Sequence, residues 1–469
     1  MVNILHINRS DGAGGAAIAM QRLHRGLLDA GHDSNLLVGK SIHPDPRTHL
    51  IGDQTKARMS LSDRVKQRLD QCLHKRIDSD PAAHRHLWKI PGLPIFRQAQ
   101  VLNFHNLHST YFNIRVLPTL AVRPIVWTLH DMWALTGHCA YSYECDRWET
   151  GCFDCPLLKG PGRRMVEPPP TPSDMSKPEW ELKDALYREH GHLIHAIAPT
   201  RWLCDLAGRG ILRHARGVHC IPHGIDLEEF APVDRSLARQ VLGITRDRRI
   251  LLAAMFKRGR RTVEALLRIL DRRSGPTTSE RLMKMGRSKK IIFASSLHRG
   301  RKGAKYLIQA LDRLENRSSI CLLVCGGNAV GDIPQHIETI NIGLTTHSAL
   351  QRLAYCAADL FVLPTLADNA SLAVLESMAC GVPVVAFDAG GVRELVHHGE
   401  TGYLARCKDP DDLARGIATL LADDGARARM GRAGRELVER EYPLHLQTER
   451  YLKVYEQAIE QARPAGAKP

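Results

Sequence analysis

The chain has 469 residues, more than one hydrophobic core usually organises, so two domains are expected. Hydrophobic residues make up 43% and charged residues 25%, which excludes a largely disordered chain, and no apolar run reaches membrane-spanning length. A net charge of +15 points to solubility or to an anionic partner: nucleic acid, anionic lipid or a phosphorylated substrate.

The N-terminus MVNILHINRSDGAGG lacks the basic flank and apolar run of a secretory signal. A cytoplasmic protein is therefore expected, its twelve cysteines serving as thiols or metal ligands rather than a disulfide framework. Residues 3–7 read as a strand, 11–15 as a glycine-rich turn and 16–30 as a helix that Gly31 ends before a strand at 34–38. Residues 41–100 are irregular and basic. Strands return at 101–104 and 124–129, followed by a cysteine-rich loop and a helix near 178–190. The strand at 194–198 runs into Pro199-Thr200-Arg201-Trp202, a helix start, and a strand at 218–221 closes this half.

The second half alternates likewise, with strands at 291–295, 320–325, 360–363 and 382–387. The tail after Tyr442 reads as an amphipathic helix ending in ARPAGAKP, expected to be disordered. The pattern predicts an α/β chain of two Rossmann-like, doubly wound domains, residues 1–230 and 231–442, with the helix at 443–460 packing back on the first. Ligands of open parallel sheets bind outside the carboxyl ends of the strands, so a ligand is expected in a cleft across which the two domains face.

Residues 249–272 align without gaps on 290–313, identical at nine of 24 positions. Two strand–turn–helix units share patterning by chance, or the segment 249–289 is a tandem βα duplication. In the second reading the copy with Lys302 and Gly303 keeps the central place in the sheet. The other copy is displaced to where its cations touch an anionic membrane. Residues 257–290 hold twelve Lys or Arg against Glu264, Asp271 and Glu280.

The most informative stretch runs from Asp368 to Glu376. A polar loop enters a helix whose first turn offers free backbone N–H groups, an anion site, and a carboxylate two turns on can accept both hydroxyls of a ribose. The plainer alternative is a helix capped by Asp368 or Asn369.

This stretch resembles the paired-acid motif of retaining glycosyltransferases of family 4, on the fold called GT-B. That pattern has an acid, seven residues, a Glu, a helix of small residues and a Gly-x-Pro-Val-Val strand, here Gly381-Val-Pro-Val-Val385. Asp368 stands where Glu is commoner; a sub-group resembling colanic-acid and other exopolysaccharide transferases also carries Asp-Asn. Gly14-Gly15 resembles the family's Gly-Gly loop, Arg301-Lys302-Gly303 its phosphate-binding lysine, and His223-Gly224-Ile225-Asp226 its hinge. Gly390-Gly391-Val392-Arg393-Glu394 and Gly399-Glu-Thr-Gly402 match later loops. Ser295-Ser296-Leu297 replaces the usual Gly-Arg-Leu, so Arg299 or Arg301 is expected to supply the missing cation.

The resemblance implies a retaining transfer from a nucleotide-diphosphate sugar to a hydroxyl, without a metal or a covalent intermediate. Glu376 would hold the ribose, and His130 and Asp368 the donor sugar. The backbone of Asn369, Ala370, Ser371 and Leu372 would contact sugar and diphosphate, with Lys302 stabilising the leaving group. His105 and His108, which follow another strand, are candidates for the acceptor side. A sugar or lipid-linked acceptor in surface polysaccharide synthesis is expected, at the inner face of the membrane and without nucleic acid. The alternatives are a polyanion-binding protein, which leaves Asp368–Glu376 unexplained, and a non-catalytic GT-B binding protein.

Cys139, Cys145, Cys152 and Cys155 fall within 17 residues as Cys-x5-Cys-x6-Cys-x2-Cys. Four thiolates suit a closed structural zinc site, and only one pair has the tight spacing of such sites. The other reading is a set of packed thiols.

Overall fold

The structure is a computed structural model that describes all residues except 13, 44, 53–84, 109–110, 160–172, 243, 245–289, 296–299, 316, 327–331, 344, 346 and 464–469. It divides into two compact units: Met1–Gly224 with Asp368–Ala370 and Leu444–Pro469, and Ile225–Ala367 with Ser371–Pro443.

The first unit is built on seven parallel strands: β1 Asn3–Ser10, β2 Asp33–Lys40, β3 Thr48–Leu50, β4 Val101–Phe104, β5 Ile125–Thr128, β6 Ile194–Ala198 and β7 Gly217–Cys220. Their spatial order is β3-β2-β1-β4-β5-β6-β7. The central strands read as apolar runs because helices cover both faces of the sheet. On one face Leu5, Ile7, Leu102, Phe104, Ile125 and Trp127 pack with Tyr187 of the helix Ser176–His190. On the other, Ile4, Val101 and Val126 meet Leu23 and Leu27 of the helix Gly15–Asp29 and Tyr451 and Tyr455 of the helix Leu444–Gln461. The strand order reverses between β1 and β4, the switch point beside which doubly wound sheets bind ligands.

The second unit has six parallel strands: β8 Lys290–Ser295, β9 Ile320–Cys325, β10 Thr339–Asn341, β11 Leu360–Leu363, β12 Val384–Phe387 and β13 Gly402–Ala405, in the order β10-β9-β8-β11-β12-β13. Here the order reverses between β8 and β11. The strand of the 290–313 copy, β8, pairs on both sides; the copy at 249–272 lies outside the described residues. Asp359, 2% exposed, anchors β8: its carboxylate accepts from the Ile291 backbone at 2.6 Å, from Arg235 at 3.0 Å and from Arg239 at 2.8 Å. A buried carboxylate met on this many sides offsets its lost hydration. Among the described residues no helix is long and apolar enough to cross a membrane.

Candidate active site

In the second unit, the loops after β8 and β11 are tied together. Arg301-Lys302-Gly303 forms a turn before the helix Ala304–Asp312. Gly303 has φ +68°, and a Cβ there would lie 1.8 Å from the Pro364 carbonyl oxygen, so only glycine fits. The Arg301 carbonyl accepts from Leu366 N at 2.8 Å and Thr365 Oγ1 at 3.3 Å, and Arg301 Nη1 donates to the Ala367 carbonyl at 3.0 Å. The basic turn is thereby fastened to the segment that leads into Asp368. Lys302 is half-buried in it; Arg299 lies outside the described residues.

The helix Leu372–Ala379 begins at Ser371, not at Asp368 or Asn369, and no side chain caps it. Its first-turn N–H groups thus keep their capacity to bind an anion. Glu376 on this helix is 5% exposed, and its Oε2 accepts from Tyr355 Oη at 3.0 Å. Burial and the neighbouring Glu376 push the Tyr355 phenol well above its ordinary range, so it remains a donor. Tyr355, on the helix Ser348–Ala357, carries no motif and was not legible in the sequence.

In the first unit, Gly14 turns the chain from β1 into the helix Gly15–Asp29 at φ 87°, ψ 168°, a region essentially reserved for glycine. That helix too has no side-chain cap. Asn369 bonds Thr200 Oγ1 through its Oδ1 at 2.6 Å, and its Nδ2 donates to the carbonyls of Leu129 at 3.3 Å and His130 at 3.4 Å. The structure therefore brings Asn369 to the end of β5, where His130 sits. Asp368, 8% exposed, accepts from Asn369 N at 3.1 Å. Ala370 follows on the same segment.

His130 belongs to a row of imidazoles. His6 Nδ1 lies 3.0 Å from His105 Nε2, and His105 Nδ1 lies 3.0 Å from His130 Nε2. His223 stacks on His130 with centroids 5.4 Å apart at 21°. Burial lowers the affinity of all four for a proton. Added repulsion from His24 acts on His6, and from its neighbouring rings on His105. His130 is brought to about 4, with Asp131 opposing. Nearby, His108 Nε2 lies 3.0 Å from Asp131 Oδ2. Burial alone would raise the Asp131 carboxyl, but His108 and the Trp133 N–H outweigh it and hold it below its usual range.

Cys139, Cys145, Cys152 and Cys155 line one cavity with Trp148 and Phe153, all as free thiols. Cys152 Sγ accepts from Gly137 N at 3.2 Å. Burial pushes the Cys152 thiol up to about 11 and raises Cys139 and Cys155 as well. Among the described residues no three His, Cys, Asp or Glu side chains converge as metal ligands. Beside the cavity, fully buried Lys183 donates to the carbonyls of Trp133 at 2.7 Å and Thr136 at 2.8 Å and lies over the Trp133 ring. Burial pulls its ammonium down to about 8.

Residues 288–423 match the family described as glycosyl transferases group 1. Over 72% of its length the chain is 24% identical to the putative colanic acid biosynthesis glycosyl transferase WcaC of Escherichia coli (strain K12), covering 74% of that protein. It is 29% identical over 45% of its length to a D-inositol 3-phosphate glycosyltransferase of Geodermatophilus obscurus, of which it spans less than half, 43%. The fold is similar to that of HepE from Anabaena, solved in complex with UDP-glucose: TM-score 0.58 and 16% identity, covering 97% of this chain and 99% of that one. With residues 288–423 matching that family model and the similarity to WcaC running along most of its length, the chain is a glycosyltransferase on the GT-B fold.

Proposed function

We propose that the protein is a retaining glycosyltransferase that moves a sugar from a nucleotide-diphosphate donor to an acceptor hydroxyl of a sugar or lipid-linked intermediate in surface polysaccharide synthesis. The observation that carries this reading is the helix Leu372–Ala379, whose N-terminus is uncapped and whose Glu376 is held by Tyr355 of the helix Ser348–Ala357. An anion site and a buried carboxylate on one helix suit the diphosphate and the ribose of a nucleotide. The turn at Arg301 and Lys302, fastened to residues 365–367, supplies cations for the diphosphate.

In the proposed reaction the C1–oxygen bond to the diphosphate breaks while the acceptor oxygen bonds C1 on the same face. The acceptor's proton passes to the leaving phosphate oxygen. Negative charge grows on that oxygen, where Lys302, Arg301 and backbone N–H groups stabilise it. His130, Asp368 and Asn369 orient the donor sugar. Similarity to WcaC supports an exopolysaccharide intermediate as acceptor. The twelve cations of residues 257–290, which lie almost wholly outside the described residues, support peripheral contact with anionic lipid.

The four clustered cysteines are the candidate ligands of a structural zinc, which would require the loop to draw their sulfurs together. Catalysis itself needs no metal in this reading. A panel of UDP-, GDP- and ADP-sugars, assayed for nucleotide release and for the product's anomeric configuration by NMR, tests the proposal. Inversion of configuration refutes the mechanism, and no release from any donor refutes the assignment.

A further inference from the structure

The three rings His6, His105 and His130 form a staircase on one face of the first unit's sheet. His6 pairs with Asn103 across β1 and β4, and Asn103 pairs with Val126 across β4 and β5. Side chains two residues apart share a face of a strand. His105 therefore lies two residues beyond Asn103, and His130 two residues beyond the level of His105. Each step goes toward the carboxyl ends of the strands. The steps are closed by two N···N contacts of 3.0 Å.

A neutral imidazole carries one N–H and one bare nitrogen, and each N···N bond needs one of each. Burial keeps all three rings neutral. Two arrangements then satisfy both bonds. Either every ring carries its proton on Nδ1, or every ring carries it on Nε2; a change in one ring forces the others. The inner end selects between them. His6 Nε2 is buried and has no hydrogen-bond partner among the described residues. The all-Nε2 arrangement would strand an N–H there, and orphaned buried donors are rarer in proteins than under-satisfied acceptors. The all-Nδ1 arrangement leaves a lone pair instead. At the outer end, His130 Nδ1 makes no hydrogen bond among the described residues, and His223 stacked on the ring fixes its plane.

We propose that His6 and His105 are positioning residues that lock His130 in its Nδ1–H tautomer, so that its free nitrogen is a fixed hydrogen-bond donor. Both nitrogens of His105 are engaged in the row, so its role is to hold His130 rather than to meet an acceptor. That this donor serves an oxygen of the bound sugar rests on the function proposed above; the tautomer lock does not. The arrangement parallels the way a second partner sets the tautomer of a metal-bound histidine. Here the partner is another histidine, itself set by a third.

Histidine-selective 15N NMR of the full chain at neutral pH reads which nitrogen of each ring carries the proton, with His130→Phe assigning the signal. The wild type should show His130 protonated at Nδ1 and bare at Nε2. His105→Leu should leave a mixture of tautomers on His130, and His105→Asn, whose amide can still donate to His130 Nε2, should restore the single form. The decisive variant is His6→Leu, which touches no atom of His130 yet should also mix its tautomers. A wild-type His130 protonated at Nε2 overturns the proposal without recourse to any variant. So does a His130 tautomer unmoved in folded His6→Leu and His105→Leu. With a donor that turns over, His6→Leu should lower kcat/KM about five- to ten-fold, the worth of one neutral hydrogen bond. A locked tautomer in a protein that transfers no sugar overturns the functional reading alone.

Discussion

The buried histidines of the first unit make it sensitive to mild acid. His24 and His130 titrate at about 4 in the fold, against 6.5 for an unfolded histidine. Below pH 6.5 the unfolded chain takes up protons that the folded one refuses. Stability is therefore fully present above that pH and is lost as the pH falls toward 4. Between pH 7.5 and 5 each such ring costs about 2 kcal/mol, so these two together cost about 4 kcal/mol. His6, His105 and His223 are shifted the same way and add to the loss. Asp131 and Asp174, lowered below 3.8, titrate outside this window. Against a typical domain stability of about 5–15 kcal/mol the effect is large. All six tryptophans, at positions 88, 127, 133, 148, 180 and 202, fall in the first unit, so fluorescence in urea reports that unit alone. With a urea slope of about 2 kcal/mol per M, these two rings alone lower the midpoint by about 2 M over this range. A midpoint that stays level or rises on acidification would refute the claim that these rings are neutral in the fold.

Glu376→Gln should weaken binding of a nucleotide-diphosphate donor about ten-fold or more, since a hydrogen bond to a buried carboxylate is worth about 1.5–3 kcal/mol; unchanged affinity by calorimetry in the folded variant removes Glu376 from the site. Gly303→Ala meets both a left-handed backbone and a carbonyl oxygen, and should cost the second unit at least about 2 kcal/mol by thermal unfolding and weaken donor binding through Lys302. Gly14→Ala meets only the backbone penalty, because nothing lies within 4 Å of its added carbon, and should destabilise by about 1–3 kcal/mol. Elemental analysis of protein purified without chelator should find about one zinc per chain, lost in Cys152→Ser, if the four cysteines close a site; metal-free, stable protein leaves them as packed thiols.

The alternation of strands and helices was legible because fully buried parallel strands leave apolar runs bounded by turn residues. β6 and β12, buried along their whole length, are of this kind. The strands that escaped notice, β3 at Thr48–Leu50, β10 at Thr339–Asn341 and β13 at Gly402–Ala405, are edges of three or four residues, half-exposed for the most part. So short a run has no period to read. The motif around Glu376 was legible, but its cap was not. Asp368 and Asn369 have the chemistry of N-caps, yet Asn369 is drawn to Thr200 and the end of β5, and the helix starts at Ser371 instead. The sequence placed His130 and His105 at strand ends. It could not show that parallel register would set His6, in mid-strand, against them, since that depends on which strands are neighbours.

The row also bears on why a sheet face covered by helices carries polar residues at all. Asn103 Nδ2 bonds Tyr455 Oη at 2.6 Å, Thr128 Oγ1 donates to Asn103 Oδ1 at 3.0 Å, and Thr128 meets Tyr451 at 3.2 Å. These groups are satisfied, but replacing such a set by apolar side chains of similar shape is often nearly neutral for stability. The histidines beside them are worse than neutral below pH 6.5, and His6 Nε2 and His223 Nδ1 are buried without partners among the described residues. Packing therefore does not account for the row. Its outer end is His130, half-buried beside Asn369 of the motif. A stability cost concentrated at the carboxyl ends of β4 and β5, next to the switch point between β1 and β4, is expected where a fold gives up packing to build a binding site.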